Sequence, residues 1–213
     1  DWDGTLIDSE GKIVGCMQRA AEHMRLDVLA GDTIKNIIGL GLPEAIRTLY
    51  PLLADDDIEE YQRSYAAHFV EADSVPCALF PGALDTLEAL KSRGHQIAVA
   101  TGKSRRGLSR ALTQRGWQAL FDSTRCADET ASKPHPRMLH EILRELMVAP
   151  EGAVMVGDTE FDMAMAQRAG VGRIAVTYGV HDIERLQRYA PALCIDRLTA
   201  IIGYADGKNA TDE

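Results

Sequence analysis

Apolar residues recur at three- and four-residue intervals over the first third of the chain. Beyond that they gather into short runs separated by helical stretches. Ile13, Cys16, Met17, Ala20, Ala21 and Met24 share one face of a helix over 12–25. Asp32 is placed to cap a short helix that ends at Gly39. Gly39-Leu40-Gly41 breaks the pattern, and Pro43 opens a third helix running to Tyr50, ahead of Pro51. Asp55, Asp56 and Asp57 put negative charge at the start of a fourth helix, where the dipole favours it. That position makes them a helix start and not a metal site. The fourth helix carries Ile58, Tyr61, Tyr65, Ala66 and Phe69, so residues 12–72 read as four helices with no strand.

After Pro76 the pattern alternates. Pro81-Gly82 opens a helix that runs through Arg93 and stops at Gly94; His95 to Thr101 is an apolar, β-compatible run. A helix over 105–115 ends at Gly116, and 121–126 reads as a short strand. Pro136 starts a helix through Met147, and Ala153 to Val156 is a second clear strand. A helix over 161–169 follows, with Gly170 behind it, then strands at 174–176 and 193–195. The polar tail after Gly203 is expected to fray. Short apolar strands alternating with helices predict an α/β fold: a Rossmann-like parallel sheet covered on both faces, with right-handed crossovers. The expected division is an α/β core from 1–13 and 76–213, with an inserted all-helical cap over 14–75. Ligands of such sheets bind at the carboxyl ends of the strands. An insert leaving the chain at such an end would sit over the site as a lid.

Composition narrows the classes. A hydrophobic fraction of 46 % supports a packed core, and a net charge of −9 argues against nonspecific nucleic-acid binding. The four cysteines, Cys16, Cys77, Cys126 and Cys194, are scattered, with no C-x-x-C, and read as reduced thiols. The histidines show no metal spacing. No apolar run approaches the ~18 residues of a membrane span, and there is no signal-peptide pattern. The expected setting is cytoplasmic, and the expected assembly a monomer or homodimer.

Four stretches carry candidate chemistry. In Asp1-Trp2-Asp3-Gly4-Thr5-Leu6-Ile7-Asp8 two carboxylates stand two residues apart ahead of a glycine that permits a tight turn. Such a pair suits Mg²⁺, which takes one or two carboxylates plus waters and phosphate oxygens. One carboxylate can then attack phosphorus while the other handles the proton. Read alone, the pair is equally an acidic turn at a strand end. Val99-Ala100-Thr101-Gly102-Lys103-Ser104 ends a strand with a hydroxyl, backbone N–H groups and a cation that can hold a phosphate; a polar loop with a capping Ser is the alternative. Ser132-Lys133-Pro134-His135-Pro136 fixes the backbone around one lysine, which can neutralise a phosphate; by itself it reads as a solvated loop lysine. Val154-Met155-Val156-Gly157-Asp158-Thr159-Glu160-Phe161-Asp162 sets Asp158 at a strand end, able to join Asp1 and Asp3 on a metal, with Asp162 supporting it one turn later. The competing reading is a plain helix cap at Asp158.

Taken together and in this order, D-x-D-G-T-L-x-D, the strand ending in Thr101, K-P-x-P and G-D-x-x-x-D resemble the four motifs of the haloacid dehalogenase-like superfamily. The likeness spans nearly the whole chain. It implies that Asp1 is the nucleophile, that Asp3 is the general acid/base, and that Thr101 and Lys133 hold the transferring phosphoryl oxygens. It further implies Mg²⁺ at Asp1, Asp3 (through its carbonyl) and Asp158. An Asp at the second position of the first motif points to phosphoryl transfer and not dehalogenation. The helical insert resembles the small cap of phosphoglycolate phosphatases and β-phosphoglucomutases. The run from Thr101 to Leu108 and the stretch around Gly39-Leu40-Gly41 are most similar to the phosphoglycolate-phosphatase-like branch.

The expected function is therefore Mg²⁺-dependent hydrolysis of a small phosphorylated metabolite. Gly102 and Lys103 would assist substrate binding, residues 39–42 would contact the substrate from the cap, and Arg47 would pair with a substrate carboxylate. A phosphomutase using the same intermediate, a receiver-type signalling domain and a non-catalytic phosphate-binding protein are the competing classes. One departure stands out. The family's first motif follows a buried apolar strand, and nothing precedes Asp1 here. The expectation is a fragment with a gap in the middle of its sheet and Asp1 on a loose end.

Overall fold

The computed structural model describes residues 1–74 and 76–207. Among them are seven strands, β1 (Ile7–Asp8), β2 (Ala78–Leu79), β3 (Ala98–Thr101), β4 (Ser123–Cys126), β5 (Val154–Gly157), β6 (Gly172–Val176) and β7 (Leu193–Ile195). Ten α-helices accompany them: α1 (Glu10–His23), α2 (Gly31–Lys35), α3 (Leu42–Leu49), α4 (Asp55–Glu71), α5 (Ala83–Ser92), α6 (Arg105–Arg115), α7 (Arg137–Leu146), α8 (Glu160–Ala169), α9 (Ile183–Gln187) and α10 (Ala200–Ala205).

The parallel pairings are those of a Rossmann-like core. β3 pairs with β4, Ala98 opposite Ser123, and β6 lies between β5 and β7. Strand periodicity then sorts side chains to two faces. Val99, Ile174 and Val176 pack with Leu87 of α5, Leu108 and Leu112 of α6 and Ile201 of α10. Ala100 and Met155 pack with Met138, Leu139 and Ile142 of α7 and Met165 and Ala166 of α8. Both faces are covered, which is why β3 and β5 read as unbroken apolar runs.

β3 and β5 are not joined by a ladder, so the parallel strands fall into two groups. The first residues of the chain lie at this interruption. The backbone nitrogen of Asp1 donates to Val156 O at 2.8 Å, and Trp2, 1 % exposed, packs in the cluster that holds Val99. Trp2 also meets Trp117 edge-to-face, with ring centroids 6.0 Å apart, a favoured arrangement for two indoles. Asp1 is held here by the Val156 bond, and it is not loose.

Helices α1 to α4 are inserted between β1 and β2, which pair antiparallel with Ile7 opposite Leu79. They have a core of their own, with Ile13, Met17, Ala20 and Ala21 of α1 against Ile46 of α3 and Ile58 and Tyr61 of α4. The acidic start of α4 is as the sequence predicts. Asp32 is not a cap: α2 begins after Ala30, and Asp32 lies in its first turn, paired with Lys35. β3 starts at Ala98, three residues after His95; the Ile97 N–H just ahead of it goes to Asp122 Oδ2 at 2.8 Å and not to a strand neighbour. Chain expected to fray after Gly203 remains helical to Ala205; residues 208–213 of that tail, and Val75 at the expected cap boundary, lie outside the described residues. No disulfide joins the four cysteines, and no described helix is long and apolar enough to cross a membrane.

Candidate active site

The first motif folds as a tight turn. Gly4 N donates to Ile7 O, and the amides of Leu6 and Ile7 both donate to Trp2 O. Gly4 has φ +79°, and a Cβ there would run into the Asp158 carboxylate. Only glycine meets both demands. The turn places Asp1 beside β5 and delivers the Thr5 hydroxyl to Asp158 Oδ1 at 2.9 Å. Tyr178 O–H in turn holds the Thr5 carbonyl at 2.9 Å.

Asp1, Asp158 and Asp162 each offer a carboxylate oxygen within 4.8 Å of the others. Lys133 is buried among them, its Nζ 2.7 Å from Asp1 Oδ1 and 2.6 Å from Asp162 Oδ1. One ammonium against three buried carboxylates leaves uncompensated negative charge, which is costly in a low-dielectric site. Asp158 shows the strain: burial and then the neighbouring Asp162 push its pKa up to about 7, against the pull of Val180 N–H, Thr5 and Lys133. Burial also opposes ionisation of Asp162, but Lys133 and the Thr159 hydroxyl outweigh it and hold the carboxyl below its ordinary value.

The three carboxylates are not equivalent. Asp162 gives Oδ1 to Lys133 and Oδ2 to both Thr159 N and Thr159 Oγ1, closing a capping box at the start of α8. It has little left for a cation. Asp158 keeps a lone pair on each oxygen after accepting from Thr5 and Val180 N. Asp1 Oδ2 is buried with no partner at all. An orphaned carboxylate oxygen beside a second under-neutralised carboxylate fits a hard divalent cation, and Asp1 with Asp158 would be its protein ligands. Asp3 has its carboxylate outside this cluster: Oδ1 accepts from Ser9 Oγ at 2.6 Å and from Lys103 Nζ at 3.0 Å.

Asp1, Asp3, Thr101, Gly102 and Lys103 line one cavity of about 870 Å³ between the helical insert and the sheet, and the insert contributes Gly39, Leu40 and Leu42 to its lining. Thr101 is fully buried at the end of β3, and its Oγ1 accepts from Lys103 N. At Gly102 a Cβ would strike the carbonyls of Leu40 and Gly39, so the insert rests directly on this loop. Arg47 does not join them. It is half exposed on α3, pairs with Asp55 at 2.9 Å and is not among the cavity's lining residues.

Sequence reasoning missed Thr5, Ser9, Tyr178, Gly179 and Val180. Thr5 and Val180 N hold Asp158, Ser9 holds Asp3, and a Cβ at Gly179 would overlap Asp158. The Gly-Thr of the first motif was the visible signal for Thr5. The Val180 contribution is a backbone N–H, which no residue type announces.

A family model described as haloacid dehalogenase-like hydrolase matches residues 1–176. "Probable phosphatase IndB" of Dickeya dadantii is 32 % identical over 209 residues, covering 96 % of this chain and 91 % of its own. "Phosphoglycolate phosphatase" of Colwellia psychrerythraea is 27 % identical over 210 residues, covering 95 % and 93 %. Among solved structures, a haloacid dehalogenase-like family hydrolase, SP0104 from Streptococcus pneumoniae, superposes with a TM-score of 0.82 at 26 % identity, covering 96 % and 95 %. With the motif residues gathered at one end of a Rossmann-like core, the chain belongs to the haloacid dehalogenase-like hydrolases, as a phosphatase of that family.

Proposed function

We propose that the protein hydrolyses the phosphate monoester of a small metabolite, of the phosphoglycolate kind, through an aspartyl phosphate formed on Asp1. The observation that carries this reading is the Asp1 carboxylate: one oxygen clamped by Lys133, the other buried without a partner. A carboxylate placed so is held in one orientation, as in-line attack requires.

Asp1 attacks phosphorus in line, forming the P–O bond to its carboxylate as the P–O bond to the alcohol breaks. Asp3 gives its proton to the departing alkoxide, then takes one from the water that attacks the acyl phosphate, releasing inorganic phosphate and restoring Asp1. Ser9 and Lys103 hold the Asp3 carboxylate facing the cavity. Thr101 and Lys133 supply donors to the phosphoryl oxygens, and Lys133 offsets the charge of Asp1. Mg²⁺ bound by Asp1 and Asp158 would neutralise the approach of a phosphate to these carboxylates and polarise its oxygens. The inserted helices, as a cap over residues 14–75, exclude water from the cavity and present Gly39 to Leu42 to the substrate.

Asp1→Asn is expected to abolish turnover of an aryl phosphate, because an amide is not a nucleophile. Asp3→Asn should slow it on the order of a hundredfold or more while binding persists. Chelation should stop wild-type turnover, and Mg²⁺ should restore it. Retained activity in Asp1→Asn, or full activity after thorough chelation, rejects the mechanism. A phosphoryl group handed back to sugar and not to water would mark a mutase.

A further inference from the structure

The cavity has a second polar end, of which the proposed hydrolysis uses only Lys103, as a partner of Asp3. Three cations meet there around one aromatic ring. Phe69, near the end of α4, has Lys12 Nζ at 4.4 Å, Lys103 Nζ at 4.8 Å and the Arg110 guanidinium at 6.0 Å from its centroid. They come from separate parts of the chain: Lys12 from the insert's first helix, Lys103 from the loop after β3, and Arg110 from α6. Their side chains are only 11 %, 12 % and 29 % exposed. Partial burial makes the assembly expensive unless the charge is answered.

It is answered only in part. Asp73 takes both Lys12 and Arg110, the latter at 2.7 Å, and Asp3 takes Lys103 at 3.0 Å. Three cations face two carboxylates, and the ring face contributes a further but modest attraction. One positive charge remains in surplus. Lys103, Arg110 and Phe69 line the cavity, while Lys12 stands behind them. Elsewhere the wall is apolar along Ile37, Leu40 and Tyr65, and its other charged residues, Glu44, Arg63, Glu71, Arg106 and Asp128, are of both signs. The surplus is thus local, partly desolvated and open to a ligand.

We propose that Lys103 and Arg110, backed by Lys12, form a subsite for a carboxylate carried by the substrate. The proposal rests on the phosphatase reading for the substrate's orientation. In that reading Asp3 meets the leaving oxygen, and Lys103 Nζ lies 3.0 Å from Asp3 Oδ1. Lys103 therefore stands on the leaving-group side of the site, where a short phosphooxy acid would carry its acid group. Lys103 acts here on the substrate's acid group and not on its phosphate, and Arg110, a residue outside the four motifs, becomes a specificity determinant.

Calorimetric titration of the full chain with Mg²⁺ tests this without turnover. Two probes are compared: the phosphonate isostere of a two-carbon phosphooxy acid, and the same phosphonate with a methyl group in place of the carboxylate. The carboxylated probe should bind about tenfold tighter or more, the worth of a charge-assisted hydrogen bond. Arg110→Met and Lys103→Met should each shrink that ratio, and Arg110→Lys should recover part of it. Equal binding of the two probes to the wild-type protein overturns the subsite whatever the variants do. A preference that survives both Met variants overturns the assignment to these residues. Should the carboxylated probe be favoured while neither parent ester is hydrolysed, the subsite stands and the hydrolase reading fails.

Discussion

Lys133 is the residue on which the site's electrostatics turn. Its ammonium has no solvent exposure and touches two carboxylates at 2.7 and 2.6 Å. Lys133→Met would leave Asp1 and Asp162 facing each other across a neutral, buried gap. The expected cost is about 3–5 kcal/mol, the penalty for breaking a buried pair by removing one partner. Chemical denaturation of the metal-free protein measures it; a loss under ~1 kcal/mol would mean that the carboxylates are neutralised in some other way. Arg47 and Asp55 make the contrasting case. Their 2.9 Å pair is solvated, with side chains 52 % and 85 % exposed, so Arg47→Ala should change stability by no more than ~1 kcal/mol. Read alone, each is a basic residue near a proline. Only the K-P-x-P resemblance sets Lys133 apart in the sequence, and the fold shows that it is buried and Arg47 is not.

Elements were legible in proportion to their length and period. α1 and α4 span 14 and 17 residues, long enough for the apolar stripe to repeat, and both are where periodicity places them. β1 and β2 have two residues each, too few to show alternation, so the ladder between the insert's two ends was invisible. α9 and α10, at five and six residues, carry too few turns to display a stripe. The start of α8 shows how local sequence can be read correctly yet incompletely. Asp158 as a helix cap was the competing interpretation of G-D-x-x-x-D. The cap is in fact Thr159, with Asp162 closing the box, which leaves Asp158 free to face Asp1. Thr159→Ala should therefore cost about 1–2 kcal/mol of stability. It should also weaken the hold on Asp162 that keeps Lys133 aimed. Denaturant melts read the first effect; a change below ~0.5 kcal/mol would show that the box does not stabilise α8.

At the scale of the molecule, the motif residues come together because parallel strands end on one side of the sheet and an insert closes over them. The contact that sets this closure is tight. Gly102 lies against the carbonyls of Gly39 and Leu40, with no room for a methyl group. Gly102→Ala should hold the insert off the core, raising KM for a small ester and admitting water. The expected loss in kcat/KM is about tenfold to a hundredfold, comparable to other small misplacements of a catalytic constellation. Steady-state kinetics alongside a melting curve check it: unchanged kcat/KM in a stable variant would mean that the contact is not needed for closure. Class, fold and the four acidic or basic motif positions were readable because each sits in a contiguous string. The contacts that tune them were not, since Thr5 and Asp158 lie 153 residues apart and meet only in three dimensions.

Hydrolysis through an aspartyl phosphate requires Asp1 to carry the phosphoryl group within each turnover. Rapid mixing with an excess of phosphate ester and Mg²⁺, quenching in acid within one turnover, and peptide mass spectrometry read this directly. One phosphoryl group is expected on the peptide that contains Asp1, absent when Asp1→Asn protein or chelator is used. Steady release of phosphate with that peptide unmodified at every quench time would contradict it.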